Sequence, residues 1–213
     1  MNTEKFPRRL MQYAAGLSVM ALGVVLFKRA DLGVSPITSV PAAVSNITAL
    51  SLGTATILLH ALCVAGQVAV RRRVTLKAVL TLIVGVPFGW IIDLFMWLFP
   101  AVELSLAVRA VIFAAGLVLS GLGVQLIVGC DLMLPAPDEL SHTISQVYGK
   151  KLSNVKIVSD AIYVAITLTV DLIFTGTVST VGLGTVLSVL FIGRFIGLFS
   201  RLFPGLTMDP MWN

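Results

Sequence analysis

Asp138, Glu139 and His142 stand close together in the stretch Asp131-Leu132-Met133-Leu134-Pro135-Ala136-Pro137-Asp138-Glu139-Leu140-Ser141-His142. Two carboxylates and an imidazole behind a proline-marked helix start suit binding of a proton or a cation, and Glu139 is the strongest candidate of the three. Asp138 and Glu139 also have a plainer explanation, as first-turn acids that complement the helix dipole. His142 reads as a satisfied or solvated histidine rather than a metal ligand. Apart from it there is only His60, and no His/Cys spacing for zinc is present.

A second motif, Asp31-Leu32-Gly33-Val34-Ser35-Pro36-Ile37-Thr38-Ser39-Val40-Pro41, offers hydroxyls at another helix start. Gly33 permits a turn, the prolines set and limit the helix that follows, and Ser35, Pro36, Thr38 and Ser39 form its first turn. The positive end of that helix suits an anion or a carboxylate. An ordinary capped loop accounts for the same residues. Arg194 is the third feature, a charge near the middle of the last apolar run, where it costs several kcal/mol unless it faces a cavity or a partner. Asp93, Glu139, Asp160 and Asp171 are its candidate partners, and a purely structural ion pair competes with a functional one. Lys156 and Asp160 are one helical turn apart and suit a local pair. Asp93 and Asp160 join Glu139 as candidates for proton coupling.

These residues sit in a chain of 213 residues that is 57% hydrophobic and 12% charged, with a mean hydropathy of +1.00. A soluble domain is about 25% charged and cannot bury so much apolar surface. Six runs are long enough to cross a bilayer: Leu10–Phe27, Gly53–Val70, Leu76–Phe99, Ser105–Val128, Val155–Phe174 and Gly182–Leu202. Pro36–Leu50 and Pro137–Tyr148 are too short and suit re-entrant or interfacial helices. The expected fold is therefore an all-α integral membrane protein with six spans and two short helices, and lipid is its first partner. Trp90, Trp97 and Trp212 suit interfacial belts. Gly182 and Gly184 open the last helix and Gly85, Pro87 and Gly89 break up the third, as close helix contacts ask.

The net charge of +5 comes from short basic runs between apolar segments rather than from a nucleic-acid surface. With the N-terminus inside, Lys5, Arg8, Arg9, Arg71, Arg72, Arg73, Lys77, Lys150, Lys151, Lys156 and Arg201 fall on the cytoplasmic side, and only Lys28, Arg29 and Arg109 lie outside. Both termini are then cytoplasmic. Cys63 and Cys130 lie in apolar segments and read as small hydrophobes. No G-x-S-x-G, H-E-x-x-H, C-x-x-C or phosphate-cradling loop is present, so no enzyme chemistry, metal or cofactor is expected.

The chain also repeats itself with a period of about one hundred residues. Arg9 matches Arg109, Ala14 to Leu17 match Ala114 to Leu117, Leu22-Gly23-Val24 match Leu122-Gly123-Val124, and Asp31-Leu32 match Asp131-Leu132. Leu98-Phe99-Pro100 returns as Leu202-Phe203-Pro204. Residues 1–100 and 101–213 form the two repeats. Three spans in each force the second to enter the membrane from the opposite side, the inverted architecture of many secondary transporters. A duplication kept only for packing is the competing account.

Ala30 to Pro41, Gly53-Thr54, Leu134 to Glu139, Val155-Lys156-Ile157 with Asp160, Gly184-Thr185 and Gly193-Arg194 together resemble the YczE/YitT-type bacterial membrane proteins, over nearly the whole chain. The resemblance implies a multi-pass protein of the bacterial inner membrane and supplies no substrate.

The expectation is a secondary transporter of a small polar or zwitterionic molecule such as an amino acid, vitamin or organic anion. Its site would lie between Ser35 to Ser39, Pro137 to His142 and Arg194, with the two short helices entering from opposite faces. The alternative is a non-transporting membrane scaffold or accessory subunit, and the small-residue faces leave room for a homo-oligomer. A channel is less favoured, because no ring of like charges is visible.

Overall fold

The computed structural model describes residues 6–206, which form eight α-helices and a single-turn 3-10 helix at Pro204–Leu206. The helices are α1 (Phe6–Ala30), α2 (Pro36–Ile47), α3 (Leu52–Arg71), α4 (Leu76–Leu98), α5 (Leu106–Gly129), α6 (Ala136–Tyr148), α7 (Leu152–Thr175) and α8 (Leu183–Leu202). Lys5 and Trp212 lie outside the described residues. All but α2 and α6 have 20 to 25 residues and a mean hydropathy of 1.6 to 2.3. Twenty residues at 1.5 Å each match a hydrocarbon core about 30 Å thick. Leu62, Trp90, Trp97, Ile173 and Leu183 all point outward from the bundle. Lipid solvates such a surface and water does not, so the chain is an all-α integral membrane protein.

The centre of the bundle is the crossing of α1 and α5. Arg9 in the first turn of α1 donates to the carbonyl of Cys130, just past the end of α5. Arg109 in the first turn of α5 donates to the carbonyl of Ala30 at the end of α1 and pairs with Asp31. The two helices are therefore antiparallel. They meet at glycines seven residues apart on each helix, with Gly16 against Gly123 and Gly23 against Gly116. Seven residues make nearly two helical turns, so each pair of glycines stays on one face. Losing the side chains lets the backbones touch, which is how membrane helices gain packing energy when lipid offers no hydrophobic drive.

The other directions follow from contacts at the helix ends. Asp93 near the end of α4 holds the start of α3, and Arg29 at the end of α1 reaches the carbonyl of Met96 in α4. Gly184 at the start of α8 donates to Leu32 just after α1. Asp171 near the end of α7 caps the loop that carries Thr180. The six long helices thus alternate in direction along the chain.

Helix α4 runs unbroken through Gly85, Pro87 and Gly89, where the sequence suggests an interruption. Gly89 and Gly53 bring α4 and α3 into backbone contact, and the His60 ring stacks on Phe88 with centroids 5.6 Å apart. This packing holds the helix through its proline. By contrast α7 and α8 scarcely touch each other, and Gly193 and Gly197 meet nothing.

Asp31 and Asp131 follow α1 and α5 with φ of 51° and 50°. Aspartate tolerates this left-handed conformation better than most residues, because its short side chain finds local partners. Each turn leads into one of the short helices. Pro36 stands in the first turn of α2 and Pro137 in the first turn of α6, where a missing N–H costs nothing.

The first turns of the short helices lie inside the bundle. Ser39 of α2 meets Thr167 of α7, and the Ala136 carbonyl of α6 accepts from Gln67 of α3. Their last turns lie at opposite ends of the bundle, Asn46 beside Lys28 and Gln146 beside Arg71. Between them Ile37, Val40, Cys63, Ala136, Leu140 and Tyr163 form a small apolar cluster.

Candidate functional site

Glu139 occupies the first turn of α6 and is only 1% exposed. Lys77, from the first turn of α4, places its Nζ 3.0 Å from Oε2, and His142 Nδ1 lies 3.9 Å from Oε1. The lysine contact is ionic, and its direction leaves Oε2 without a hydrogen-bond donor. A buried carboxylate costs several kcal/mol unless paired. The pairing here is minimal, and Lys77, 38% exposed, keeps one side of the pair in touch with water.

A cavity of about 200 Å³ opens beside this pair, lined by Lys77, Asp131, Leu132, Met133, Leu134 and His142. A smaller one of about 90 Å³ lies at the other end of the bundle, lined by Lys28, Asp31, Gly33, Val34, Asn46 and Thr180 among others. Six positions of their walls correspond. Phe27, Lys28, Asp31, Gly33, Val34 and Ala42 line the smaller cavity, and Ile127, Val128, Asp131, Met133, Leu134 and His142 line the larger. Apart from Asp31 and Asp131, the polar groups do not correspond. Where the larger cavity has His142 the smaller has Ala42, and Ser39 stands where α6 carries Glu139.

Residues 7–201 match the model of a family described as a family of unknown function, DUF6198. The chain belongs to DUF6198. No curated protein and no solved structure matches it. The match covers all eight helices and both cavities, so the arrangement just described belongs to the part of the chain that defines the family.

Several site residues expected from the sequence stand elsewhere in the DUF6198 protein. The hydroxyls of the first motif are spent inside the fold. Ser35 and Thr38 bond each other at 2.6 Å, and Ser39 donates to the Pro36 carbonyl and contacts Thr167, both at 2.7 Å. With Pro36 buried beside them, they fasten α2. Asp138 and Asp160 both pair with Lys156 at 2.9 Å, so the local pair expected on α7 also clamps α6.

Arg194 is exposed, away from both short helices, with its guanidinium 5.3 Å from the Phe191 ring centroid. The reason is helical phase. Gly184, Thr185 and Ser188 form the buried face of α8, which continues through Ile192 and Phe195, and Arg194 lies on the opposite face with Phe191. Its suggested partners are engaged elsewhere. Glu139 has Lys77, Asp160 has Lys156, Asp171 holds Ser179 and Thr180, and Asp93 holds Ser51 and Gly53.

Asp93 of the DUF6198 protein is thereby a helix cap. Its carboxylate accepts from Ser51 Oγ at 2.6 Å and from the Gly53 N–H at 2.7 Å, tying the start of α3 to α4. Asp93→Ala is expected to lower stability by about 1–2 kcal/mol, the usual worth of a helix cap. A thermal melt of the purified protein in detergent checks this. A stability equal to the parent's would remove Asp93 from that role.

Lys77 was legible only as an inner-side charge, although it falls one residue inside an apolar run, where a cation needs a reason. His60, buried in α3, was legible only as a histidine without zinc-type partners.

Proposed function

We propose that this DUF6198 protein is a secondary transporter of a small polar or zwitterionic molecule across the bacterial inner membrane, built from two inverted repeats and coupled to protons at Glu139. The observation that carries this reading is the pair of cavities at opposite ends of the bundle, with six matching wall positions and an apolar cluster between the two short helices. Alternating access needs two such entrances around a shared barrier. The antiparallel α1 and α5, joined by Arg9 and Arg109 in equivalent ways, support the inverted relation.

The larger cavity, at about 200 Å³, is smaller than the roughly 300–1,000 Å³ of sites for drug-sized ligands. It presents Lys77, Asp131 and His142, charges of both signs. An amino acid, a vitamin fragment or an organic anion fits those terms. The resemblance to YczE/YitT-type proteins agrees with an inner-membrane location, and the basic residues favour cytoplasmic termini. Homo-oligomerisation is compatible with this arrangement.

Reconstitution tests the reading. Proteoliposomes with an imposed pH gradient are expected to accumulate at least one member of a panel of amino acids, vitamins and organic anions. Glu139→Gln keeps the shape and removes the titratable proton, so it is expected to abolish accumulation while exchange of substrate across the membrane continues. If no compound in a broad panel moves, the transport reading fails.

A second reading, a non-transporting scaffold subunit, draws on the separated α7 and α8 and the outward-facing Arg194. Purification with a stoichiometric partner seated on those helices, and no uptake, would favour it.

A further inference from the structure

His60 is a buried titratable side chain that the ion pair at Glu139 leaves unused. It sits nearly half-way along α3 and is 4% exposed. Its ring stacks on Phe88, and its Nδ1 has no hydrogen-bond partner. Gly85 faces it so closely that a Cβ there would stand 3.0 Å from Nδ1. The ring borders a small void of about 10 Å³, where Tyr13, Thr81 and the backbone of Pro135 and Ala136 stand among the apolar Leu17, Val84, Phe88 and Leu134. That volume is the least that admits one water, for which the unpartnered Nδ1, Tyr13 and Thr81 are the polar side chains in reach.

The void and the larger cavity share a single wall residue, Leu134. On α4 Lys77 faces the cavity and Thr81, one turn further, faces the void. The start of α6 connects the same two places, since Ala136 borders the void and Glu139 meets Lys77. Lys77 and Thr81 on α4 and Ala136 and Glu139 on α6 thus flank the stretch between Glu139 and His60, and Leu134 is the wall residue common to the cavity and the void.

We propose that His60 is a second, deeper proton-binding site that exchanges its proton with Glu139 through one water in this void when Leu134 moves aside. The protonated Glu139 gives its proton to the water as the water passes one of its own to His60 Nδ1. A carboxylate paired with Lys77 and an imidazolium against Phe88 remain, and no other reactant is needed. Of the titratable groups on the packed elements, Tyr13 of α1 borders the same void and Asp138 of α6 acts on His60 through its charge, while Glu139 of α6 is paired with Lys77 of α4. The role in coupling rests on the transport reading, whereas the proton site does not.

The chain has two histidines, so isotope-labelled histidine in lipid nanodiscs gives two imidazole signals by magnetic resonance, and His60→Gln assigns them. The His142 signal in that variant reports whether it folds. The His60 signal is expected to respond to pH, and its midpoint is expected to move in Glu139→Gln. No titration, or the same titration in both proteins, overturns the proposal. In proteoliposomes His60→Gln is expected to lose gradient-driven accumulation and keep exchange, and unchanged accumulation also overturns it. Titration linked to Glu139 without any uptake by the parent would end the transport reading and leave the proton site standing.

Discussion

Gly123→Val is expected to leave little or no folded protein, whereas Gly193→Val is expected to behave as the parent. A Cβ on Gly123 would fall 2.5 Å from the Met20 nitrogen and 2.7 Å from its Cα, closer than atoms approach without something moving. Overpacking ordinarily costs about 1–3 kcal/mol when side chains can yield. Here the obstacle is the backbone of α1, and relief means driving apart the two helices on which the rest of the bundle packs. Against a total stability of about 5–15 kcal/mol that loss is disabling. Gly193 is also a glycine in a membrane helix but meets nothing within 4 Å. Size-exclusion behaviour and thermal unfolding in detergent compare the two. Equal behaviour would mean that α1 and α5 do not cross where the structure places them.

The second large effect concerns the ion pair. Lys77→Met leaves Glu139 buried and uncompensated, and removing one partner of a buried pair costs about 3–5 kcal/mol. Because Lys77 is 38% exposed, water from the cavity screens part of this, and a loss of about 2–3 kcal/mol is expected. Adding Glu139→Gln removes the stranded charge, so the double variant is expected to recover most of the lost stability. Glu139→Gln alone should change stability little. This pattern separates an ion pair from simple packing. If the double variant is as unstable as Lys77→Met, the loss came from the lysine's methylene chain and the pairing is unimportant.

Both effects bear on the proposed transport through a common feature. The glycine crossing makes a rigid axis, while the ion pair and its cavity sit on α4 and α6, at the edge of that axis. The Glu139–Lys77 contact joins a long helix to a short one and lies apart from that crossing. A rocking motion needs that division between a fixed element and a movable one.

The outlines of the long helices were legible because lipid imposes a length. Runs of twenty apolar residues have no other use, so their bounds agree with the observed helices to within a few residues. The two short helices were legible from Pro36 and Pro137. The turns before them were legible in the recurring Asp31 and Asp131, which adopt nearly the same φ. At the site, Glu139 was legible as a carboxylate in a place where it is costly. Its partner was not, since Lys77 is distant in the chain and also answers the description of an inner-side charge.

Arg194 shows the limit most clearly. Its cost in an apolar run is visible in the sequence, but two solutions exist, inward to a carboxylate or outward past neighbouring side chains towards the membrane surface. Which applies depends on the phase of α8 against α5, and that phase is decided by Gly184, Thr185 and Ser188 packing inward.

The sequence by itself determined the solvent of this protein, the number of its long helices, the proline starts of the short ones and the recurrence of its turns. These depend on composition and local geometry, which each segment carries alone. Only the tertiary structure decided that Lys77 meets Glu139, that Ser39 and Asp93 are fastened within the fold, that α7 and α8 stand apart and that His60 faces a void. Each of those depends on which face of one helix meets which face of another, and in lipid that choice turns on close packing and pairing, which many apolar sequences satisfy equally well before they are assembled.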